Sequence, residues 1–278
     1  MFGIILVSLG TLFEEIGDLI GKAQARKGRQ DLYAMGFFTY FWPAIIFLVI
    51  IFFRAKFIFS LQSLPTFAIR SFLEILQAHF TVKAIMRADR STFGFIRVLT
   101  LPLLLVVDFF LGYAVTARQV GGIVLIVMVL VFIFLSDKIG GRGRWLTLFT
   151  SLNAVATTSL FKYNITHFNS VEAEQFLVIM ILLVYFWASG RYWTGQNNLR
   201  LLFSNRVFLW QSLSQGFANL LESFAIKFAP ASVILAGKRS TATIWTALSG
   251  RFVFSEKNFA FKLVVLTLLV SGILLLAL

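Results

Sequence analysis

The chain has 278 residues, 59% hydrophobic and only 13% charged, with 33 phenylalanines and no cysteine. That charge fraction is about half that of a soluble domain, which points to an integral membrane protein. The missing cysteines exclude a disulfide framework and any thiolate-ligated metal site, and a lone His79 and a lone His167 argue against a histidine metal site. The formal net charge of +13 comes with no soluble basic domain to hold nucleic acid, so the cations read as topology signals and contacts to anionic membrane lipid.

Apolar runs long enough to cross a hydrocarbon layer recur along the whole chain, near 2–21, 33–53, 65–86, 91–113, 119–136, 145–163, 172–190, 207–227, 231–252 and 259–277. They predict an all-α integral membrane protein of about ten transmembrane helices, multi-pass in a bacterial-type inner or plasma membrane. The first run lacks a basic leader and contains Glu14, Glu15 and Asp18, so it is expected to be a retained helix and not a signal peptide. Glu14 and Asp18 share one face with Gly17 and Gly21, a spacing that lets a neighbouring helix approach closely, while Glu15 lies about 100° round.

Polar residues recur at helical spacing in later runs. Arg70, Glu74, Gln77 and Thr81 mark one face of the third, and Gln211, Gln215, Ala218 and Glu222 repeat the pattern in the eighth, beside Asn219. The fourth run carries Arg97, Asp108 and Pro102, which is expected to kink it. Asn153 and Thr157 belong to the polar face of the sixth. The ninth holds Lys238 and Arg239, roughly 12–13 Å into the layer at about 1.5 Å per residue, together with Trp245, which could stack on a ligand or simply pack. Each cation costs about 2.5–3.5 kcal/mol at mid-membrane, so this helix is expected inside a bundle, lining something wet.

Internal matches divide the chain. Leu19–Lys22 resembles Leu160–Lys162 with its preceding serine at an offset of 140, Tyr40–Trp42 returns as Tyr185–Trp187 at 145, and the Ala84–Ser91 pattern returns at Ala225–Ser232 at 141. The reading is two five-helix halves, 1–139 and 143–278, with the midpoint loop around Gly140. An odd number of helices per half makes the two inverted in the membrane, with a site near the midplane where they meet. At the 141 offset Arg97 corresponds to Lys238, and Glu74 to Gln215.

The segments A-I-M-R-A-D-R-S-T-F-G-F-I-R-V-L-T-L-P and A-I-K-F-A-P-A-S-V-I-L-A-G-K-R-S-T-A-T, with the closing F-V-F-S-E-K-N-F-A-F-K that carries Glu256 and the later Gly272, resemble the drug/metabolite transporter superfamily (EamA-like family). The first-half position that is acidic in the family is Tyr113 in this chain. The resemblance implies ten helices in two inverted halves around a central cavity that moves small metabolites by alternating access. The Lys238–Arg239 pair resembles the pair that binds phosphate in the organophosphate branch of that superfamily.

Two uses of the buried charges stay open. Lys238, Arg239 and Arg97 could hold an anionic substrate, with Glu74, Gln77, Gln215, Asn219, Asn153 and Trp245 as further substrate contacts. Alternatively they neutralise Glu14, Glu15, Asp18 and Glu222, which could in turn carry a proton or a monovalent cation. The leading expectation is a secondary transporter of a small polar metabolite, organic or phosphorylated anions included, with no cofactor. The alternative is a proton- or cation-coupled exporter of neutral or cationic solutes. A membrane-embedded lipid-modifying enzyme is the third class, disfavoured because no nucleophile–base constellation stands out. Gly237-Lys238-Arg239-Ser240 lacks the spacing of a phosphate-binding loop, so ATP-driven pumping is not expected. Loop cations concentrate on the side opposite the N-terminus, which would place both termini outside, whereas the family resemblance places them inside.

Overall fold

A computed structural model describes residues 2–54, 57–110, 116–136, 143–228 and 231–277. Tyr113, Pro230 and the midpoint loop around Gly140 lie outside the described residues, as does the side chain of Asp108. The fold is all-α, with no strand among the described residues. Its helices are α1 (Phe2–Arg26), α2 (Leu32–Arg54), α3 (Leu64–Arg87), α4 (Arg90–Arg97), α5 (Thr100–Phe110) and α6 (Ala117–Leu135). The second half contributes α7 (Arg144–His167), α8 (Val171–Thr194), α9 (Asn198–Ser204), α10 (Arg206–Ala225), α11 (Ala231–Phe252) and α12 (Phe259–Ala277).

Local chemistry sets several helix ends. The Ser170 hydroxyl accepts from the Ala173 amide to start α8, which stops at Gly195 with φ +66°. Thr116 and Gln119 form a reciprocal capping box at the start of α6. The fourth apolar run is not one helix. Pro102 offers no N–H to the Val98 carbonyl, and residues 98–99 tighten into three-residue turns, with the Val98 amide on Phe95 O at 3.2 Å and the Leu99 amide on Ile96 O at 3.1 Å. α4 and α5 meet at this break. The short α9 is a further element that the apolar pattern does not announce.

Five segments are long and apolar enough to cross a membrane by length and composition: Leu32–Phe53, Arg90–Val107, Ala117–Leu135, Val171–Thr194 and Phe259–Leu276. The other helices of 20 or more residues, α1, α3, α7, α10 and α11, are more polar. They hold most of the ionic side chains described below. Long apolar residues cover much of the outside, Phe52, Phe132 and Val264 among them, as expected for a molecule whose surroundings are hydrocarbon.

Packing is specific. α1 lies along α10 and α11, α3 along α7, α2 along α8 and α10, α6 along α12, and α4 along α11 and α7. Glycine makes two of these approaches possible. A Cβ on Gly17 would stand 2.6 Å from the Gln215 amide nitrogen of α10, and one on Gly94 would stand 1.9 Å from Thr246 Oγ1 of α11. One apolar core joins α4, α5, α6, α11 and α12 around Phe95, Ile126 and Leu269, and another joins α2, α3, α8 and α10 around Phe38, Phe186 and Phe208.

Candidate functional site

Between the two cores lies a cavity of about 240 Å³, large enough for several waters or a small solute. Its walls come from α1, α2, α3, α4, α7, α8, α10 and α11. One wall carries Lys238, Arg239 and Arg97. The Lys238 ammonium sits between two carboxylates, 3.0 Å from Glu14 Oε2 and 2.5 Å from Glu222 Oε2. Arg97 is less engaged, with Nη1 3.9 Å from Glu14 Oε1 and its buried Nε without a hydrogen-bond partner. Arg239 is 3% exposed and its Nε donates to Thr100 Oγ1 at 3.0 Å. Among the described residues no carboxylate lies within 4.0 Å of Arg239. The α4–α5 break is what turns Thr100 towards it, and the Thr100 hydroxyl also donates to Arg97 O at 2.8 Å.

Asp18 forms part of the cavity wall on α1. Its Oδ1 accepts from Gln215 Nε2 at 3.0 Å and its Oδ2 from Arg90 at 3.3 Å. Arg90, 1% exposed, also binds the Glu15 carboxylate, which in turn accepts from Ser249 Oγ at 2.8 Å. α1, α4 and α11 are thereby pinned together behind Asp18. Next to this knot Glu256, in the loop between α11 and α12, accepts from the Arg90 amide at 2.5 Å, from Ser91 Oγ at 2.5 Å and from Lys262 Nζ at 2.8 Å. It caps the start of α4, where a carboxylate is favoured by the unpaired amides of the first turn. Burial pushes the Glu256 carboxyl up, but the hydrogen bonds from Lys262 and Ser91 outweigh it and hold it below the ordinary carboxylate range.

The wall formed by α3, α7 and α8 carries a second ionic group. Arg70 Nη1 binds Glu174 Oε1 at 2.8 Å and Nη2 donates to Gln175 Oε1 at 3.1 Å, with Glu74 3.7 Å away. Glu174 is completely buried and also accepts from Asn164 at 2.7 Å and from Asn169. Such satisfaction is what keeps a buried carboxylate tolerable. Gln77 Oε1 accepts from Asn153 Nδ2 at 3.0 Å, which fixes the amide from behind.

Most candidate residues thus meet at one place: Lys238, Arg239, Arg97, Glu74, Gln77, Gln215 and Asn219, together with Glu14, Asp18 and Glu222, line the cavity. Three do not. Asn153 buttresses Gln77, Glu15 turns to Arg90, and Trp245 is 38% exposed and outside the lining. Trp245 follows Lys238 by seven residues, about two turns, so it lies on nearly the same side of α11 but roughly 10 Å further along the axis, beyond the residues that line the cavity. Lys238 is ion-paired with both Glu14 and Glu222, while Arg97 keeps an unpartnered Nε and Arg239 is bonded to a neutral hydroxyl. Arg90, Glu174 and Thr100 belong to the site region without standing out in the sequence. Arg90 and Lys22 look like loop cations beside a helix end, yet both are 1% exposed, and Lys262 is 2% exposed. Of the first-helix acids expected to face Lys238, Arg239 or Arg97, Glu15 and Asp18 pair with Arg90. Among the described residues no three His, Asp or Glu side chains are grouped as a metal site would need.

Models of known protein families give no match to the chain, and curated proteins give no significant match either.

Proposed function

We propose that the chain is a secondary transporter in the cell membrane, moving a small polar metabolite through the central cavity by alternating access. In this reading ten membrane-crossing segments form two inverted repeats, 1–139 and 143–278, as in the drug/metabolite transporter superfamily whose motifs the chain resembles. The observation that carries the reading is a polar, charge-lined cavity enclosed by helices of both halves in a molecule with an apolar outside. The packing pattern adds support. If α1, α2, α3, α4–α5 and α6 correspond to α7, α8, α10, α11 and α12, exchanging the halves converts α1–α10 packing into α7–α3 packing and α1–α11 into α7–α4. The contacts α2–α8, α4–α11 and α6–α12 map onto themselves, and all of these pairs are in contact.

Proteoliposomes loaded with a small-metabolite extract test the function. One class of polar metabolite should leave faster than from protein-free vesicles or from vesicles with Asn219→Trp, which fills the cavity. Equal retention in all three would overturn the proposal. A coupled exporter is the second reading, favoured by Glu14 and Glu222 sharing one ammonium. A proton or cation arriving at such a pair competes with Lys238, so release that accelerates with an opposed proton or sodium gradient would favour it.

A further inference from the structure

We propose that the cavity takes a singly charged anion between Arg97 and Arg239, and that Lys238 is withheld from the ligand by its two carboxylates. The proposal deepens the reading of the cavity as a solute site and rests on it.

Charge and geometry both lead there. On the wall made by α4 and α11, three cations (Lys238, Arg97, Arg239) face two carboxylates (Glu14, Glu222), which leaves one positive charge. Lys238 is bonded to both carboxylates, at 3.0 and 2.5 Å, so the excess resides on the guanidiniums. Arg97 keeps a buried Nε without a partner, and its nearest carboxylate oxygen, at 3.9 Å, is beyond hydrogen-bonding distance. Arg239 is tied only to a neutral hydroxyl, Thr100 Oγ1 at 3.0 Å. Two guanidiniums with free donors on adjacent helices suit a planar or tetrahedral oxyanion. A second negative charge finds no further free cation on these walls: Arg90 is held by Glu15 and Asp18, Arg70 by Glu174, and Lys238 by Glu14 and Glu222. A dianion would therefore bring one charge that the two guanidiniums leave uncompensated into a partly desolvated medium, where such terms are strong. The adjacent Lys-Arg pair, which by resemblance suggested a phosphate site, acts here as two separate devices.

The test uses the purified full chain in detergent, at constant ionic strength, with ligand-induced thermal stabilisation as the readout. Succinamate and succinate have nearly the same shape and differ by one charge, and methanesulfonate serves as a second monoanion. Both monoanions should stabilise the protein saturably, and succinate should bind about tenfold more weakly than succinamate, the ratio expected for roughly one pK-sized charge term. Arg97→Gln and Arg239→Gln should each abolish the monoanion shift, while Arg239→Lys, which keeps a charge and guards against a folding defect, should retain part of it. Glu222→Gln removes one of the two carboxylates that hold Lys238, leaves it paired with Glu14 alone, and should narrow the gap between succinate and succinamate. Succinate binding as tightly as succinamate, no shift with either monoanion, or undiminished shifts in both glutamine variants would overturn the proposal. Metabolite release from vesicles without anion binding would sink the substrate class alone, and anion binding without any release would sink the transporter reading alone.

Discussion

Lys238 on α11 stands 3.0 Å from the Glu14 carboxylate on α1, joining the first helix of one half to the penultimate helix of the other. The same ammonium reaches Glu222 of α10, so three helices share one cation. Lys238→Met leaves two carboxylates facing each other. Because these side chains are 15% and 24% exposed to the cavity, the expected loss is about 1–3 kcal/mol, below the 3–5 kcal/mol of a fully buried broken pair. Adding Glu222→Gln should recover part of it. The thermal midpoints of the single and double variants measure this, and additive losses would show that the pair is not coupled.

Arg90 has no such exposure. Replacing it by Met strands Glu15 and Asp18, both 6% exposed, and should cost about 3–5 kcal/mol. Folded yield by size-exclusion chromatography should collapse for Arg90→Met, whereas Arg90→Lys should recover a measurable fraction. Full yield from Arg90→Met would mean that the knot is dispensable.

The α4–α11 contact gives a steric prediction. Gly94→Ala puts a methyl 1.9 Å from Thr246 Oγ1, and forcing the helices apart should cost about 1–3 kcal/mol. Thr246→Ala on the same background removes the hydroxyl and should restore part of the loss. Thermal midpoints of the four proteins form the cycle, and a Gly94→Ala protein as stable as the parent would contradict the contact.

Acid should loosen the Glu256 cap. Its folded pKa lies below the ordinary 4.5, because hydrogen bonds from Lys262 and Ser91 overcome the upward push of burial. A depressed carboxylate contributes its full stability above the unfolded value and loses it as pH falls through the folded one. Glu256→Gln should therefore lower the thermal midpoint at neutral pH, with the difference from the parent shrinking below about pH 4.5. A difference that grows on acidification would reverse the sign of the argument.

Much of this fold is legible in the sequence because hydrophobic length and helical spacing are local. Among the described residues each of the ten apolar runs is mostly helical, the fourth in two pieces, and the i, i+4 spacing of Glu14 and Asp18 does put both on the cavity wall. The α3 stripe likewise reaches the cavity, as does that of α10 from Gln215 onward, whereas Gln211 packs beside Gly21. What spacing cannot carry is which helix faces which. Arg90 sits at a helix end, where a cation normally signals a loop, and only the approach of α1 buries it. Glu174 reads as helix-start chemistry until Arg70 arrives from α3. The break at Val98–Leu99 lies a turn before the proline that causes it, so Thr100 and its bond to Arg239 were invisible to a periodicity argument.

Alternating access requires a cavity that reaches water from either side of a membrane, and the chain's lack of cysteine makes this directly measurable. A single cysteine at Asn219, on the cavity wall, is exposed in sealed proteoliposomes to a membrane-impermeant thiol reagent added outside or trapped inside. Modification from both sides, each slowed by saturating ligand, is the result predicted for alternating access. Modification from neither side, or from one side alone under every condition, would contradict it.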